Sequence, residues 1–392
     1  MAMTAISPGR PAGLAKPAEL ACIALVIAHA VYLAASYWHG LWIVGPDGKG
    51  SPSDFVNVWA AGRLVLEGHA PLAYDWPAHK AVEAAAVGYD FDGYFGWHYP
   101  PMFLFVAAAL ALIPYGAAYA LWLAVTFPLY LAALRAIIGA RDGILLAAAF
   151  PAVLSNFVVG QNGFLTAALM GGALYLLDRR PIAAGILIGL LTYKPHLGLI
   201  IPFVLIAGGY WRVFAAAAAT ACAIAFVAWL GFGTETWLAF FGTISKTSQA
   251  FLSDGWAQFG KLQTMFGFVR TLGASEAMAW TVHAVFAVAV TIAVALLWRT
   301  RTPFPIKAAA LACGAMLATP YLYTYDLVVL AVPLGFLIAY GRATSFSNFD
   351  IGGIALACAL IVSFPFVALP VGFAAVLVVA ALVARRVLME RP

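Results

Sequence analysis

Leu20-Ala-Cys-Ile-Ala-Leu-Val-Ile-Ala-His-Ala-Val-Tyr-Leu-Ala-Ala35, followed after a short interval by the polar stretch Ser51-Pro-Ser-Asp54-Phe-Val-Asn-Val-Trp59, decides the fold. The first run has no charged residue. It reads as a spanning helix, because a backbone in lipid must satisfy its hydrogen bonds internally. Arg10 and Lys16 precede it in the manner of a secretory signal, but the run is long and lacks a convincing small-residue cleavage site. It is expected to remain as an uncleaved first span.

Working outward, the rest of the chain repeats that apolar character. It is 64% hydrophobic and 9% charged, against roughly 25% charged in soluble domains. The expectation is one all-α, polytopic membrane domain over residues 1–392 with no soluble appendage. The formal charge of +5 does not point to nucleic acid, since the bases stand mainly at span ends. Cys22, Cys222, Cys313 and Cys358 are isolated in apolar runs, with neither metal spacing nor a disulfide framework.

The segment from the first span to Pro101 is the exception. Between His39 and His98 it holds 4 of the 7 histidines, and 7 acids against 3 bases. Phe55, Val58, Trp59, Gly62 and Leu66 fall at helical spacing, and Pro77–Val87 reads as a second short helix. Both are expected to lie along the membrane surface. Residues 38–100 thus form a first extracytoplasmic loop and 233–276 a second.

Further spans are expected within Met102–Ile137 and at Ile144–Val159, Phe164–Leu177, Ile182–Thr192, Leu197–Ala207, Val213–Phe232, Ala277–Leu297, Ile306–Ala318, Leu327–Tyr340, Ile351–Phe364 and Val371–Val383. Basic clusters at Arg135/Arg141, Arg179/Arg180, Arg212, Arg299/Arg301/Lys307, Arg342 and Arg385/Arg386 all fall on the cytoplasmic side if both termini are inside. That gives about 12 spans, with Met102–Ile137 counted as one crossing. The Asp54 loop, Gly160–Gly163, Lys194-Pro195-His196, residues 233–276 and Pro320–Asp326 then share the outer face. No internal repeat, phosphate-binding glycine loop, zinc signature or nucleophile elbow is evident.

Several outer-face residues carry two readings. Asp54 caps the helix that starts at Phe55, or serves as a general base, being a carboxylate costly to place between spans. Lys194-Pro195-His196 is a kink with a snorkelling lysine, or a phosphate-type anion site. Gly160-Gln161-Asn162-Gly163 is a tight turn, or a donor of amide bonds to sugar or phosphate. Trp97 and His98 belong to an interfacial aromatic belt, or orient an acceptor. Lys261, Gln263 and Arg270 alternate with aromatics in a manner suited to carbohydrate. Tyr321, Tyr323, Tyr325 and Asp326 form an interfacial turn, with Asp326 a second costly carboxylate or a cap.

Taken in order, these elements resemble glycosyltransferase family 87, a family of polyprenyl-phosphate-sugar-dependent membrane transferases with the GT-C fold. The resemblance runs through Asp54-Phe-Val-Asn-Val-Trp59, Ala60-Ala-Gly62-Arg63-Leu-Val-Leu-Glu-Gly68, Pro71-Leu-Ala-Tyr74-Asp75, Tyr99-Pro100-Pro101, Gly160-Gln-Asn-Gly163, Gly185-Ile-Leu-Ile-Gly189 to Lys194-Pro195, and Tyr321 to Asp326. It implies transfer of a sugar, mannose first, from a polyprenyl-phosphate donor to a lipid or glycan acceptor. The reaction would be inverting, on the extracytoplasmic face of a bacterial inner or plasma membrane. The resemblance makes Asp54 the general base. Lys194, His196, Gln161, Asn162 and Arg63 would meet the donor's phosphate and sugar. Trp59, Trp97, His98, Lys261, Gln263, Arg270, Tyr321, Tyr325 and Asp326 would meet the acceptor or sugar. GT-C enzymes often show paired acids at this position; here Ser53 and Phe55 flank Asp54, so neither a metal nor another cofactor is expected. The competing class is a transporter or flippase of a lipid-linked or small polar substrate. It would place its polar groups at the midplane and open them to both faces, whereas these gather on one side.

Overall fold

The structure, a computed structural model, describes residues 14–256 and 258–390, leaving out the side chains of Ala140 and Arg141. Every regular element among them is helical: α1 (Lys16–Trp38), α2 (Phe55–Leu66), α3 (Trp76–Val87), α4 (Leu104–Leu110), α5 (Tyr115–Ile138), α6 (Ala140–Ala149), α7 (Ala152–Val159), α8 (Gly163–Leu176), α9 (Pro181–Leu190), α10 (Ile201–Ala207), α11 (Trp211–Ser248), α12 (Met265–Thr271), α13 (Glu276–Trp298), α14 (Phe304–Ala318), α15 (Ala331–Ala343), α16 (Asn348–Ser363) and α17 (Val371–Met389). Short 3-10 turns link several of them.

Seven of these helical stretches are long and apolar enough to cross a bilayer, and α6–α7, bent by 64°, makes an eighth. The expected twelve is reached only by counting the shorter apolar helices as crossings. α8, with 14 residues, covers about 21 Å at the helical rise, short of a hydrocarbon core of about 30 Å. Prolines stand at several of the breaks between other helices. Pro151 follows the bend between α6 and α7, Pro195 stands in the 3-10 turns between α9 and α10, and Pro114 separates α4 from α5. The stretch 102–137 is therefore a short helix followed by a full one.

At the centre lie α14 and α15, whose side chains are mostly buried, wrapped by α5, α8, α13 and α17. Alanines crowd α14 between Ala308 and Ala318. Small residues of this kind let helices approach where lipid supplies no hydrophobic drive for association. The Gly185/Gly189 pair does the same for α9: a Cβ at either would come within 2.6 Å and 2.8 Å of the α11 carbonyls of Val213 and Ala217.

Two elements differ from the sequence reading. α2 buries Phe55, Val56, Asn57, Val58, Ala60, Ala61, Gly62 and Leu64 and packs on α4, α3 and the turn Ala70–Tyr74. It is a core helix of the loop rather than a surface rider. The stretch after Phe232, read as loop, continues as helix to Ser248 and a further π-type turn to Ser253. Gly233, at φ 78° and ψ 172°, is the sole non-helical point in α11. Beyond that kink α11 lies on the first loop, where Thr243 Oγ1 donates to Tyr74 O (3.2 Å) and Thr247 Oγ1 meets His98 Nδ1 (3.0 Å).

Candidate functional site

Asp54 stands at the first turn of α2 in right-handed helical geometry, and its side chain makes no capping bond. Its carboxylate instead accepts from Gln161 Nε2 at 3.2 Å. Gln161 Oε1 in turn accepts from Tyr99 OH at 2.9 Å, which leaves the amide nitrogen facing Asp54. Partial burial pushes the Asp54 carboxyl up to about 6. The Gln161 bond opposes that, the nearby Asp326 charge adds to it, and the Lys194 and Lys261 ammonium groups oppose it. Desolvation is the dominant cause.

The turn carrying Gln161 is held in place by its flanking glycines. Gly160 adopts φ 68°, and a Cβ there would come within 2.4 Å of the Tyr119 ring and 2.7 Å of Phe55 Cβ. At Gly163 a Cβ would sit 2.5 Å from the Tyr325 carbonyl. Between them Gln161-Asn162 threads from the start of α2 to the Tyr325 segment. No side chain larger than hydrogen fits at either end.

Asn162 continues the network. Its Oδ1 accepts from Lys194 Nζ at 2.8 Å, and the same ammonium is paired with Asp326. All three are buried. Asp326 Oδ2 also accepts from Tyr323 N at 3.1 Å, in a capping box at the head of the turn Thr324–Leu330. Lys194 lies 5.4 Å from the Tyr325 ring centre. Its charge is thus already matched, and Asp326 has both oxygens engaged. Among the described residues Asp54 has one side-chain hydrogen bond and no directly bonded cation. The two acids differ in setting: Asp326 is tied to a cation and a backbone amide, Asp54 to one side-chain amide.

Tyr321, Tyr323 and Tyr325 form an aromatic file beside this network, with successive ring centres 5.0 and 5.8 Å apart. The His196 ring meets Tyr321 edge-on at 5.7 Å. Buried donors or acceptors without partners collect here: Asn162 Nδ2, His196 Nε2 and Tyr323 OH. Buried polar atoms are normally paired, so this set suits a polar guest.

Lys261 sits on a turn docked against the same file. Gln263 Nε2 donates to Gly260 O and Lys261 O, Gln263 Oε1 accepts from Gly372 N at 2.7 Å, and Gln263 N donates to Leu322 O at 2.7 Å. Arg270 lies over the Phe259 ring and donates to Ser253 O and Ala274 O. Gln263, grouped with the ligand-facing residues on sequence, spends its amide holding backbone, and Arg270 does the same with Nη1 and Nη2 while its buried Nε has no partner among the described residues. The exposed Lys261 has no ion-pair partner among the described residues.

The remaining residues stand farther out. Trp97 is fully buried beneath Tyr99, stacked on Phe103 at 5.8 Å. His98 bonds Thr247 and meets Phe251 edge-on at 5.2 Å, and burial holds its imidazole down at about 4, so it is neutral at ordinary pH. Trp59 Nε1 donates to Ile113 O at 2.9 Å. Arg63 pairs with Glu67 at 3.0 Å on an exposed face, nine residues, or about 13 Å, along α2 from Asp54. Two residues that sequence reasoning passed over support the site. Tyr99 anchors Gln161, and Tyr193 OH meets Thr166 Oγ1 at 2.6 Å beneath the Asn162 carbonyl. The one hint was position, since Tyr99 precedes two prolines and Tyr193 precedes Lys194. Among the described residues no three His, Cys, Asp or Glu side chains gather as metal ligands.

The family model of glycosyltransferase family 87 matches residues 97–320, more than half of the chain. No curated protein and no solved structure matches it. The chain belongs to glycosyltransferase family 87: it is a membrane glycosyltransferase with an all-helical fold.

Proposed function

We propose that this member of glycosyltransferase family 87 moves a sugar, mannose first, from a polyprenyl-phosphate donor to a hydroxyl of a lipid or glycan acceptor on the extracytoplasmic face. Asp54 is the general base. The observation that carries this reading is the contrast between the two acids of the site. Asp326 is spent on Lys194 and Tyr323 N, whereas Asp54 is held by one amide and pushed up to about 6. That is a value at which a carboxylate is ionised at neutral pH yet basic enough to take a proton.

In this mechanism the acceptor O–H gives its proton to Asp54 as its oxygen attacks the anomeric carbon. The bond from that carbon to the phosphate oxygen breaks on the opposite side, and the polyprenyl phosphate leaves with the electron pair. The anomeric centre inverts, so a β-linked donor yields an α-linked product. A phosphate leaves without a general acid but gains negative charge, which fixed positive charge stabilises. Lys194 is neutralised by Asp326, so the unmatched cation is Lys261, aided by Asn162 Nδ2, His196 and Tyr323 OH. Lys194 keeps the Asn162 amide turned with its nitrogen free. The aromatic file of Tyr321, Tyr323 and Tyr325 offers faces for sugar.

The test is transfer of radiolabelled mannose from polyprenyl-phosphate mannose to extracted lipid and glycan acceptors, by purified protein and its Asp54→Asn variant, with chelator present. Transfer by the parent protein alone supports the reading. Equal transfer by both proteins removes Asp54 as base, and no transfer from any polyprenyl-phosphate sugar, pentofuranose included, overturns the donor class.

A further inference from the structure

α1 is loosely held by protein: it packs on α6 and contains no buried residue. Between it and the bundle lies a cavity of about 850 Å³, walled by Ala18 and Ala21 of α1, Leu134 of α5, Phe150 after α6, Ile338 of α15 and Ile354 of α16. Along α15 the wall runs from Ala331 to Arg342. At the helical rise that is about 16 Å, half of a hydrocarbon core of about 30 Å. The polar part of the wall is at one end, where Arg342, Thr344 and Ser345 follow one another. Arg342 Nη2 donates to Asp142 Oδ2 at 2.7 Å, one of the five N–H donors that a guanidinium carries. Asp326 stands at the other end of the same Thr324–Ala343 stretch, so this cavity is separate from the candidate site.

We propose that the cavity holds one acyl chain of an anionic phospholipid from the leaflet at the Arg342 end, with the lipid phosphate at Arg342. An apolar space of this kind excludes water, which finds no partners there. Left empty, it forfeits the dispersion contacts of every wall atom. Hydrocarbon fills it, and the bilayer supplies hydrocarbon from the side. A depth of one leaflet matches a chain tethered at its head. Lys16, beside the cavity-lining Ala15 and Pro17, brings positive charge to the mouth, and Arg342, its charge matched by Asp142, offers its remaining N–H donors to the phosphate. The lipid then completes the contact between α1 and α15–α16 that protein side chains leave unmade.

The experiment uses full-length protein in bilayer nanodiscs with phosphatidylglycerol carrying a diazirine in its acyl chain. Photolabel is expected to concentrate on peptides 14–25, 331–346 and 351–358. Ala18→Trp, which fills the cavity, should lower that label at least ten-fold. Ala24→Trp, on the exposed side of α1 and outside the cavity wall, should leave it unchanged. Because a filled cavity can disturb folding, lipid phosphorus bound to the unmodified protein after exhaustive detergent washing is measured as well; about one phospholipid per chain is expected. Label spread evenly over all lipid-facing helices and indifferent to Ala18→Trp, or no retained phospholipid, overturns the proposal. So does a diazirine polyprenyl phosphate that labels the same peptides and is not displaced by phosphatidylglycerol.

Discussion

Gln161 Nε2 lies 3.2 Å from Asp54 Oδ2, the only side-chain hydrogen bond to that carboxylate among the described residues. The amide is set in this orientation from behind by Tyr99, so the strength with which Asp54 holds a proton depends on residues 45 and 107 positions away in the chain.

Asp54→Asn keeps the side-chain shape and removes the basic oxygen that the proposed mechanism needs. Asp54→Asn should lower transfer by about 10²–10⁴-fold, the usual worth of a general base, with thermal stability unchanged or raised. For the parent protein, activity should rise with pH through about 6, because the carboxylate must be ionised to accept a proton. Rate measured from pH 4.5 to 8 checks both; a profile flat across that range would be incompatible with Asp54 as base.

Tyr99→Phe tests positioning. Without the phenol the Gln161 amide is free to turn, and the bond that lowers the Asp54 pKa weakens. The acid limb of the rate profile should move to higher pH, with turnover falling more than donor KM rises. A uniform loss at every pH would mark Tyr99 as packing alone.

Lys194→Met strands Asp326 as a buried acid without its cation. Such losses cost about 3–5 kcal/mol, seen here as a drop in unfolding temperature. Lys194→Met combined with Asp326→Leu should recover most of that stability while activity stays low, since Asn162 has lost its anchor. Were Lys194→Met as stable as the parent and altered only in donor KM, its charge would belong to the donor after all.

For Lys261 the opposite split is expected. Its side chain is exposed and unpaired among the described residues, so Lys261→Gln should leave the unfolding temperature within a degree or so and raise donor KM roughly ten-fold, the order expected for one charge-assisted contact. Lys261→Arg should restore most of it.

Glu83 gives a pH effect unrelated to turnover. Burial raises its carboxyl from 4.5 to about 8, and it faces the buried His79, held down at about 3, across 3.6 Å. The folded state holds that proton more tightly than the unfolded one, so the Glu83 contribution to stability is full below about 4.5 and is lost as pH rises through about 8, while His79, buried neutral, contributes the opposite slope below about 6.5. Glu83→Gln should flatten the decline; thermal unfolding at pH 5 and pH 8 decides.

The sequence made the membrane class and the main polar elements readable, because long uncharged runs and stranded carboxylates each have few physical explanations. Asp54, Gln161, Asn162, Lys194 and Asp326, scattered over 273 positions from Asp54 to Asp326, do come together. What it did not make readable was partnership. A lysine in an apolar run looks available until the buried acid that neutralises it is seen, and that acid is 132 residues away. Gln263 and Arg270 have the composition of a sugar-binding loop, yet the Gln263 amide and the Arg270 Nη1 and Nη2 groups donate to carbonyls of their own turn and its neighbours. Span number rests on a related matter, since seven or eight long apolar stretches stand beside shorter apolar helices. Hydropathy reports apolar runs, but not whether a proline breaks one, as at Pro151 and Pro195, or is carried within it, as Pro128 is in α5.

The separation between Lys194 and Asp326 also bears on how the chain is made. At about 5–20 residues per second of synthesis, the 132 positions between them take roughly 7 to 26 s to emerge. Throughout that time Lys194 must wait near a membrane without its counter-charge. α9 and α10 are short and broken at Pro195, so they can stay near the interface during the delay and settle into the bundle once α15 arrives. Assembly order is thereby written into the chain: the 38–100 segment first, the helices after it, and the Lys194–Asp326 pairing last.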